Sequence, residues 1–376
     1  MTWLPSKRTF VVDRNTDDIH RKKLTPAKKK KAFTAFTRRK NIMLALAIAL
    51  PIIGSYIITS VVLLNFPTIL HKRKNTKFRC RHISHRGGAA ENLENTMTAY
   101  QYALKMGTEM LELDVRLTAD KQVVVCHDND LSRVTHSDSV ISDLKYEDLP
   151  LLMNTLTVQF QPGVACMAKN GDRKIPLLES VFKAFPDIPI NVDIKSNSDE
   201  LIDKTHELIC KYNRKKITVW GNFSKEVTEK CYKKDPEIAV MFSMQRAALL
   251  IFLFYSGLLP FIPLKESFLE IMLPVTMIRR FEVPWTMKAL CHIVDWFMVS
   301  PILFKHLDKR GIQTYLWVLN DDHEFDLAFN KLKVAGVMTD YPSRLKRYLA
   351  NNSTASQHAP NIVNDKDEHS ELIKKQ

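Results

Sequence analysis

Hydrophobic and polar positions divide the 376-residue chain into stretches of different character. Residues 1–40 are polar and basic with neither helical nor strand period, and read as a flexible tail. Ile42 to Leu70 is apolar apart from Ser55, Thr59, Ser60, Asn65 and Thr68, and holds no charge. A helix of that length, at ~1.5 Å per residue, outreaches the ~30 Å hydrocarbon layer, so 41–70 is assigned as a transmembrane anchor. A cleaved signal peptide fits poorly, because the run is too long and lies behind forty polar residues. Residues 71–81 read as a linker, 82–348 as the folded domain, and 349–376 as a disordered polar tail.

Within 82–348 short strand-like runs alternate with helical patterns. The strand candidates are His82–His85, Leu111–Leu117, Ile188–Ile194, Thr218–Gly221, Ala239–Ser243, Trp296–Ser300, Thr314–Leu319 and Gly336–Thr339. Helical patterns such as Asp199–Tyr212, Lys225–Lys233 and His323–Lys331 lie between them. Eight parallel strands alternating with helices predict an α/β fold, a (β/α)8 TIM-type barrel. Functional groups of such barrels gather at the C-terminal ends of the strands. His85, Glu112, Asp114, Asp193, Trp317 and Asp340 fall there or close by, and His127 follows an extra strand after the second.

Two excursions interrupt the alternation. Residues 128–175 form a small insertion after the second strand. Residues 244–293 follow the fifth, and Ala247 to Leu264 is almost wholly apolar, with Pro260 and Pro263 near its end. A single membrane crossing there would put adjacent strands of one barrel on opposite sides of a bilayer. A membrane-interfacial or re-entrant segment keeps the barrel intact, and packing as core is the plainer alternative. The anchor joins the first strand on the face opposite the catalytic rim, and 71–81 reach at most ~36 Å. The barrel must therefore lie on its side, or the linker must run along it.

Charge changes the picture little. Of the net +14, residues 1–40 contribute +10, from thirteen Lys and Arg against three Asp. A basic run beside an apolar segment is a topology or anionic-lipid signal, and nothing accompanies it that would read nucleic acid. Ten basic residues before the span against seven after it weakly favour a cytosolic N-terminus. The sequon at Asn222 lies at a strand end near the site, which opposes a lumenal domain, so the side of the membrane stays open. Six scattered cysteines carry neither a zinc nor a disulfide pattern.

Glu112 and Asp114, two apart on one strand, point to the same face and repel unless a cation or proton separates them. Asp193, from a neighbouring strand end, would be a third oxygen donor, and such a set suits a hard cation, Mg²⁺ or Ca²⁺. Salt bridges on a barrel rim would use the same carboxylates. The nearby His85 and His127 favour acid–base chemistry, and Arg86 and Lys195 can hold phosphate oxygens. Gly87 and Gly88 would allow close approach of a ligand or form a tight turn. Asn95 reads as a cap for a helix beginning at Thr96.

In order along the chain stand His85-Arg86-Gly87, Glu94-Asn95-Thr96, Glu112-x-Asp114 and His127-Asp128. Asn191-Val192-Asp193-Ile194-Lys195, Trp317-Val318-Leu319-Asn320 and Thr339-Asp340-Tyr341-Pro342 follow. Over residues 80–348 this resembles the glycerophosphodiester phosphodiesterase family, and most of all its small membrane-anchored lysophospholipase D branch. The resemblance implies metal-dependent hydrolysis of a lysophospholipid, such as lysophosphatidylcholine or N-acyl-lysophosphatidylethanolamine, to lysophosphatidic acid and a head-group alcohol. It also implies catalysis by His85 and His127, phosphate binding by Arg86 and Lys195, and metal binding by Glu112, Asp114 and Asp193. Glu94 would support Arg86 or the metal shell, and Trp317 would form an apolar substrate wall. Attack comes from the substrate's own glycerol hydroxyl, through a cyclic phosphate, or from water. The family usually has Glu where Asp193 stands. An integral membrane protein of the endoplasmic reticulum or another endomembrane is expected. Water-soluble glycerophosphodiesters are the alternative substrate, and a catalytically silent lipid-binding scaffold the alternative class.

Overall fold

The computed structural model describes residues 26–352, so the expectations for 1–25 and 353–376 lie outside the described residues. The chain divides into two compact units, one up to Thr59 and one from Ser60 onward. A helix begins at Pro26 and runs to Asn65. Residues 26–40 are therefore helical rather than part of a tail. Their Ala, Lys and Arg are strong helix formers, and Pro26 is tolerated at the first turn. The stretch Phe33–Asn65 is long and apolar enough to cross a membrane.

The second unit is built on β1 (His82–Ser84), β2 (Met110–Leu117), β3 (Val123–Val125), β4 (Thr155–Thr157), β5 (Ala165–Met167), β6 (Ile190–Ile194), β7 (Thr218–Gly221), β8 (Ala239–Val240), β9 (Phe268–Ile271), β10 (Gln313–Leu316) and β11 (Gly336–Thr339). Eight of these pair in parallel in the order β8-β7-β6-β2-β1-β11-β10-β9. A Met241–Phe268 bridge, with Phe242 N donating to Phe268 O at 2.9 Å, joins the two ends. This is the expected (β/α)8 barrel. The β3 strand folds back antiparallel on the end of β2, and β4 and β5 form a hairpin inside the expected insertion.

Seven of the eight expected strands overlap an observed one, and the sixth does not. The apolar pattern places that strand at Trp296–Ser300, but Trp296 to Met298 end a 14-residue helix, Trp285–Met298. The true sixth strand is β9, flanked by Ser267 and, three residues on, Pro274. Short apolar runs do not distinguish strand from helix by periodicity alone, and here the longer run is the helix. The expected 244–293 insertion is thus two segments, one before β9 and one after it.

The strands alternate inside and out, as the pleat requires. Outward residues such as Leu111, Leu113, Val192, Trp220, Leu269 and Leu316 pack against the surrounding helices. Inward Ile83, Met110, Val219, Phe268, Tyr315 and Met338 form an apolar plug. Two residues further along their strands stand His85, Glu112, Glu270, Trp317 and Asp340. The same inward row therefore changes from apolar floor to polar site, which fixes where chemistry can occur.

Candidate active site

One cavity of about 220 Å³ opens above that plug. Its wall includes His85, Arg86, Glu112, Asp114, His127, Asp193, Lys195 and Trp317, which the sequence had singled out. It adds Glu270, Asn191, Phe160, Phe223, Phe242, Met241 and Met338. Glu94 is not on the wall; it lies behind it.

After β1 the backbone turns sharply, with Arg86, Gly87 and Gly88 all at positive φ (49°, 79° and 92°). A Cβ on Gly87 would meet Ala99 Cβ and Tyr100 Cδ1 at 2.9 Å, and one on Gly88 would meet Pro342 at 2.5 Å. Turn geometry and packing thus account for both glycines, without a ligand. The turn aims Arg86 N at Glu112 Oε2, 2.8 Å away. The Arg86 guanidinium is buried, its Nη1 bound to Glu94 Oε1 (3.0 Å) and Gln159 Oε1 (2.9 Å), with Nε 3.2 Å from Asp114 Oδ2. Asn95 does not cap the helix. Thr96 accepts from Ala99 N at 3.2 Å, while Asn95 donates to Asp114 Oδ2 (2.9 Å) and accepts from Tyr100 OH (2.8 Å).

Each histidine has a carboxylate on Nδ1. His85 meets Asp340 Oδ1 at 2.7 Å, and Asn320 Nδ2 donates to the other Asp340 oxygen at 3.2 Å. His127 meets Asp128 Oδ1 at 2.6 Å, and Asp128 Oδ2 accepts from Arg133 Nε. Arg133 continues to Glu94 with two further bonds, Nη2 to Oε1 at 2.6 Å and Nη1 to Oε2 at 3.2 Å. One chain of ion pairs therefore joins His127 through Asp128, Arg133 and Glu94 to Arg86. An ionised carboxylate only accepts, so each Nδ1 carries the proton and Nε2 is left for chemistry. Burial pushes the Asp128 carboxyl up, but the His127 hydrogen bond and Arg133 outweigh it and hold it at about 2.

The carboxylates lie in register, Glu112 beside Asn191 and Asp114 beside Asp193 on the paired β2 and β6. Lys195 Nζ bridges Asp114 Oδ1 (2.9 Å) and Asp193 Oδ2 (2.5 Å), and Asn222 Nδ2 donates to Asp193 Oδ1 at 2.7 Å. Burial would raise the Asp114 carboxyl, but Lys195 and Arg86 overcome it and hold it far below the usual range. Burial and then Asp114 drive Glu112 the other way, well above the usual range. Glu270, accepting from Asn191 Nδ2 at 2.9 and 2.8 Å, is pushed by burial up to about 7.

Four carboxylates line the cavity (Glu112, Asp114, Asp193, Glu270) beside two permanent cations (Arg86, Lys195), and Lys195 pairs with Asp114 and Asp193, while burial raises Glu112 and Glu270. An all-oxygen donor set of this kind fits a hard divalent cation. Among the described residues a second cluster of metal-ligand type, His206, Cys210 and Asp235, lies on the outer helices. Its Asp235 is already paired with Lys215 at 2.8 Å.

Phe160 packs edge-on against both His85 (centroids 5.5 Å apart) and Trp317 (6.0 Å). The cavity is thus lined by charged and aromatic side chains together. Glu270 escaped sequence reasoning because the sixth strand was misplaced, and with it the partner that gives Asn191 a role. The period-2 spacing from inward-facing Phe268 was the signal that could have found Glu270.

Residues 85–344 match the model of the glycerophosphoryl diester phosphodiesterase family. The chain is 50% identical over 303 residues to human lysophospholipase D GDPD1, covering 80% of this chain and 95% of that protein. It is 38% identical over 318 residues to human lysophospholipase D GDPD3, covering 84% and 99%. Among solved structures, a glycerophosphodiester phosphodiesterase from Agrobacterium tumefaciens shares the fold. It has a TM-score of 0.52 at 20% identity, covering 71% of this chain and 99% of that one.

Proposed function

Because the chain belongs to the glycerophosphoryl diester phosphodiesterase family, and is a phosphoric diester hydrolase with lysophospholipase D relatives, we propose that it cleaves lysophospholipids to lysophosphatidic acid and a head-group alcohol. The observation that carries this reading is the mixed lining of one cavity, with charged groups for a phosphodiester and aromatic groups for an apolar chain. The names of the similar proteins and the long apolar helix support a lipid substrate. The helix serves as the membrane anchor.

The phosphodiester lies against Lys195 and the rim of Arg86. One histidine, neutral, accepts the proton of the attacking hydroxyl at Nε2, and the other, entering the cycle as the imidazolium, donates its Nε2 proton to the oxygen of the departing head group. Asp340 and Asp128 each hold an Nδ1–H, which keeps Nε2 as the nitrogen that exchanges protons with the substrate, and they stabilise the imidazolium form of each ring. Phe160 and Trp317 cover the reacting centre on its apolar side, which strengthens the electrostatic interactions inside. Glu112, Asp114 and Asp193, with Glu270 close behind, would hold a divalent cation, Mg²⁺ or Ca²⁺. When bound, it would stabilise charge on the phosphate oxygens and lower the pKa of the attacking hydroxyl.

The test is choline release from lysophosphatidylcholine by the detergent-solubilised full chain, in EDTA, Mg²⁺ or Ca²⁺. Release requires the metal, and His85→Ala and Glu112→Ala each lower kcat by roughly 10²-fold or more. Full activity in EDTA would remove the cation from this account. Cleavage of glycerophosphocholine without release from the lysolipid would make soluble diesters the substrate.

A further inference from the structure

The helix Trp285–Met298 is strongly apolar, yet among its residues none is buried. Trp285 is 79% exposed and Trp296 70%, with Met287, Leu290 and Ile293 also open. Beside it lies the helix Met244–Tyr255, whose Leu250 and Leu253 enter the core while Phe252 stands 62% exposed. The two are tied where Tyr255 OH donates to Phe297 O (3.2 Å) and the Tyr255 and Phe297 rings meet at 5.4 Å. A soluble surface does not carry so large a continuous apolar patch without an occupant.

Two further observations name the occupant. The last turn of the long apolar helix belongs to the same compact unit as the barrel. Its end is fastened to this flank, where Ser60 Oγ donates to Gly257 O at 2.7 Å and His306 Nδ1 meets Leu64 O at 2.8 Å, and beyond the helix His71 Nε2 meets Pro260 O at 2.8 Å. At its other end the flank reaches the cavity. Met244 N donates to Phe223 O at 3.0 Å, and Phe223, 60% exposed, lines the cavity together with Phe242.

We infer that this flank is a membrane-interfacial surface, seated in the head-group region of a phospholipid bilayer between the end of the anchor and the mouth of the catalytic cavity. Trp, Tyr and Phe with an exposed Lys288 and Lys305 are the composition of that boundary, where amphipathic rings and snorkelling lysines are stable. The run Trp285–Lys309 does not cross the bilayer. Its neighbours β9 and β10 are paired side by side, Leu269 with Thr314, and a crossing would separate them. The barrel lies on its side, and an acyl chain enters along Phe252, Met244 and Phe223 without leaving an apolar surface. This deepens the lipid-substrate reading of the same cavity and rests on it for the entry path, but not for the seating.

The experiment uses the full chain reconstituted in phosphatidylcholine vesicles containing lipid brominated near the head-group end of its chains, which quenches nearby tryptophan. Quenching is strong in the wild type and falls by at least half in Trp285→Phe/Trp296→Phe, while Phe252→Trp gains quenched signal. Equal quenching in the double variant, or an added signal in Phe252→Trp that stays unquenched, overturns the seating and leaves a protein partner or a second copy as the occupant. In the same vesicles, Trp285→Glu/Ile293→Glu lowers hydrolysis of lysophosphatidylcholine roughly tenfold and leaves glycerophosphocholine hydrolysis unchanged. An equal loss on both substrates overturns the entry path. A wild type that is quenched but hydrolyses no lysolipid sinks the substrate reading while the seating stands.

Discussion

Asp340 isolates what orientation alone contributes at the residue scale. It is buried, holds His85 Nδ1 at 2.7 Å, and is itself held by Asn320. In Asp340→Asn the amide can offer its NH₂ to Nδ1, which moves the ring proton to Nε2 and spoils the base. The kcat falls by roughly 10²–10⁴ with KM and melting temperature nearly unchanged. A merely structural role would move the melting temperature instead. His82 gives a prediction of a different kind. Burial lowers its pKa from 6.5 to about 4, so the unfolded chain binds a proton the folded barrel refuses. Its stability contribution is complete above pH 6.5 and is lost as pH falls toward 4, costing about 2 kcal/mol by pH 5. Urea unfolding at pH 7 and pH 5 shows the loss, and His82→Gln reduces the difference by that share while His306, also lowered by burial to about 4, keeps its own. Residues of the motifs were legible because their types are rare at strand ends. Arg133 and Asn222 were less so. Charged and amide side chains are common in loops, and only the fold shows one joining Asp128 to Glu94 and the other touching Asp193.

At the scale of elements, the misplaced sixth strand shows what local pattern cannot decide. Phe268–Ile271 is four residues long, and its inward Glu270 interrupts an otherwise apolar run. What makes it a strand is its pairing with β10, a contact between residues some 45 positions apart in sequence. The linker was legible only as polar sequence. In the structure it runs along the barrel, with Lys74 N donating to Arg310 O at 2.9 Å and Lys74 Nζ to Lys265 O at 2.6 Å. Gly311 makes room for it, at φ 75° with space for no Cβ: one built there would sit 2.1 Å from Lys74 O. Gly311→Ala therefore combines a disfavoured φ with a backbone clash and costs more than about 1 kcal/mol. Chemical denaturation shows the loss. If the variant is as stable as the wild type, the linker is not held against the barrel. Kinetics toward glycerophosphocholine stay unchanged, because Gly311 precedes β10 and lies far from the strand ends that carry the site.

For the whole molecule, the barrel was legible because strand-like and helical runs alternate along 82–348, and that order survives the one misplaced strand. The long apolar helix was legible from length alone. The inferred sideways seating was one of two alternatives the sequence left open, and it rests on which apolar helices the core leaves uncovered. The seating inferred above would make the enzyme a surface catalyst, whose substrate concentration is a mole fraction in the bilayer. Diluting lysophosphatidylcholine with inert phosphatidylcholine, at fixed bulk amount, lowers the surface fraction while leaving the bulk concentration untouched. With the cavity mouth facing the lipid, the rate falls in proportion once the fraction drops below saturation. An enzyme fed from solution would be limited by the monomer that escapes the bilayer, and its rate would respond to added lysolipid-binding protein in the aqueous phase. Initial rates across a tenfold dilution series, with and without serum albumin as that acceptor, separate the two routes. Proportional decline with no effect of albumin beyond depletion of the surface pool follows from entry along the flank. A rate that tracks free monomer would mean that the apolar track serves only to hold the barrel in place.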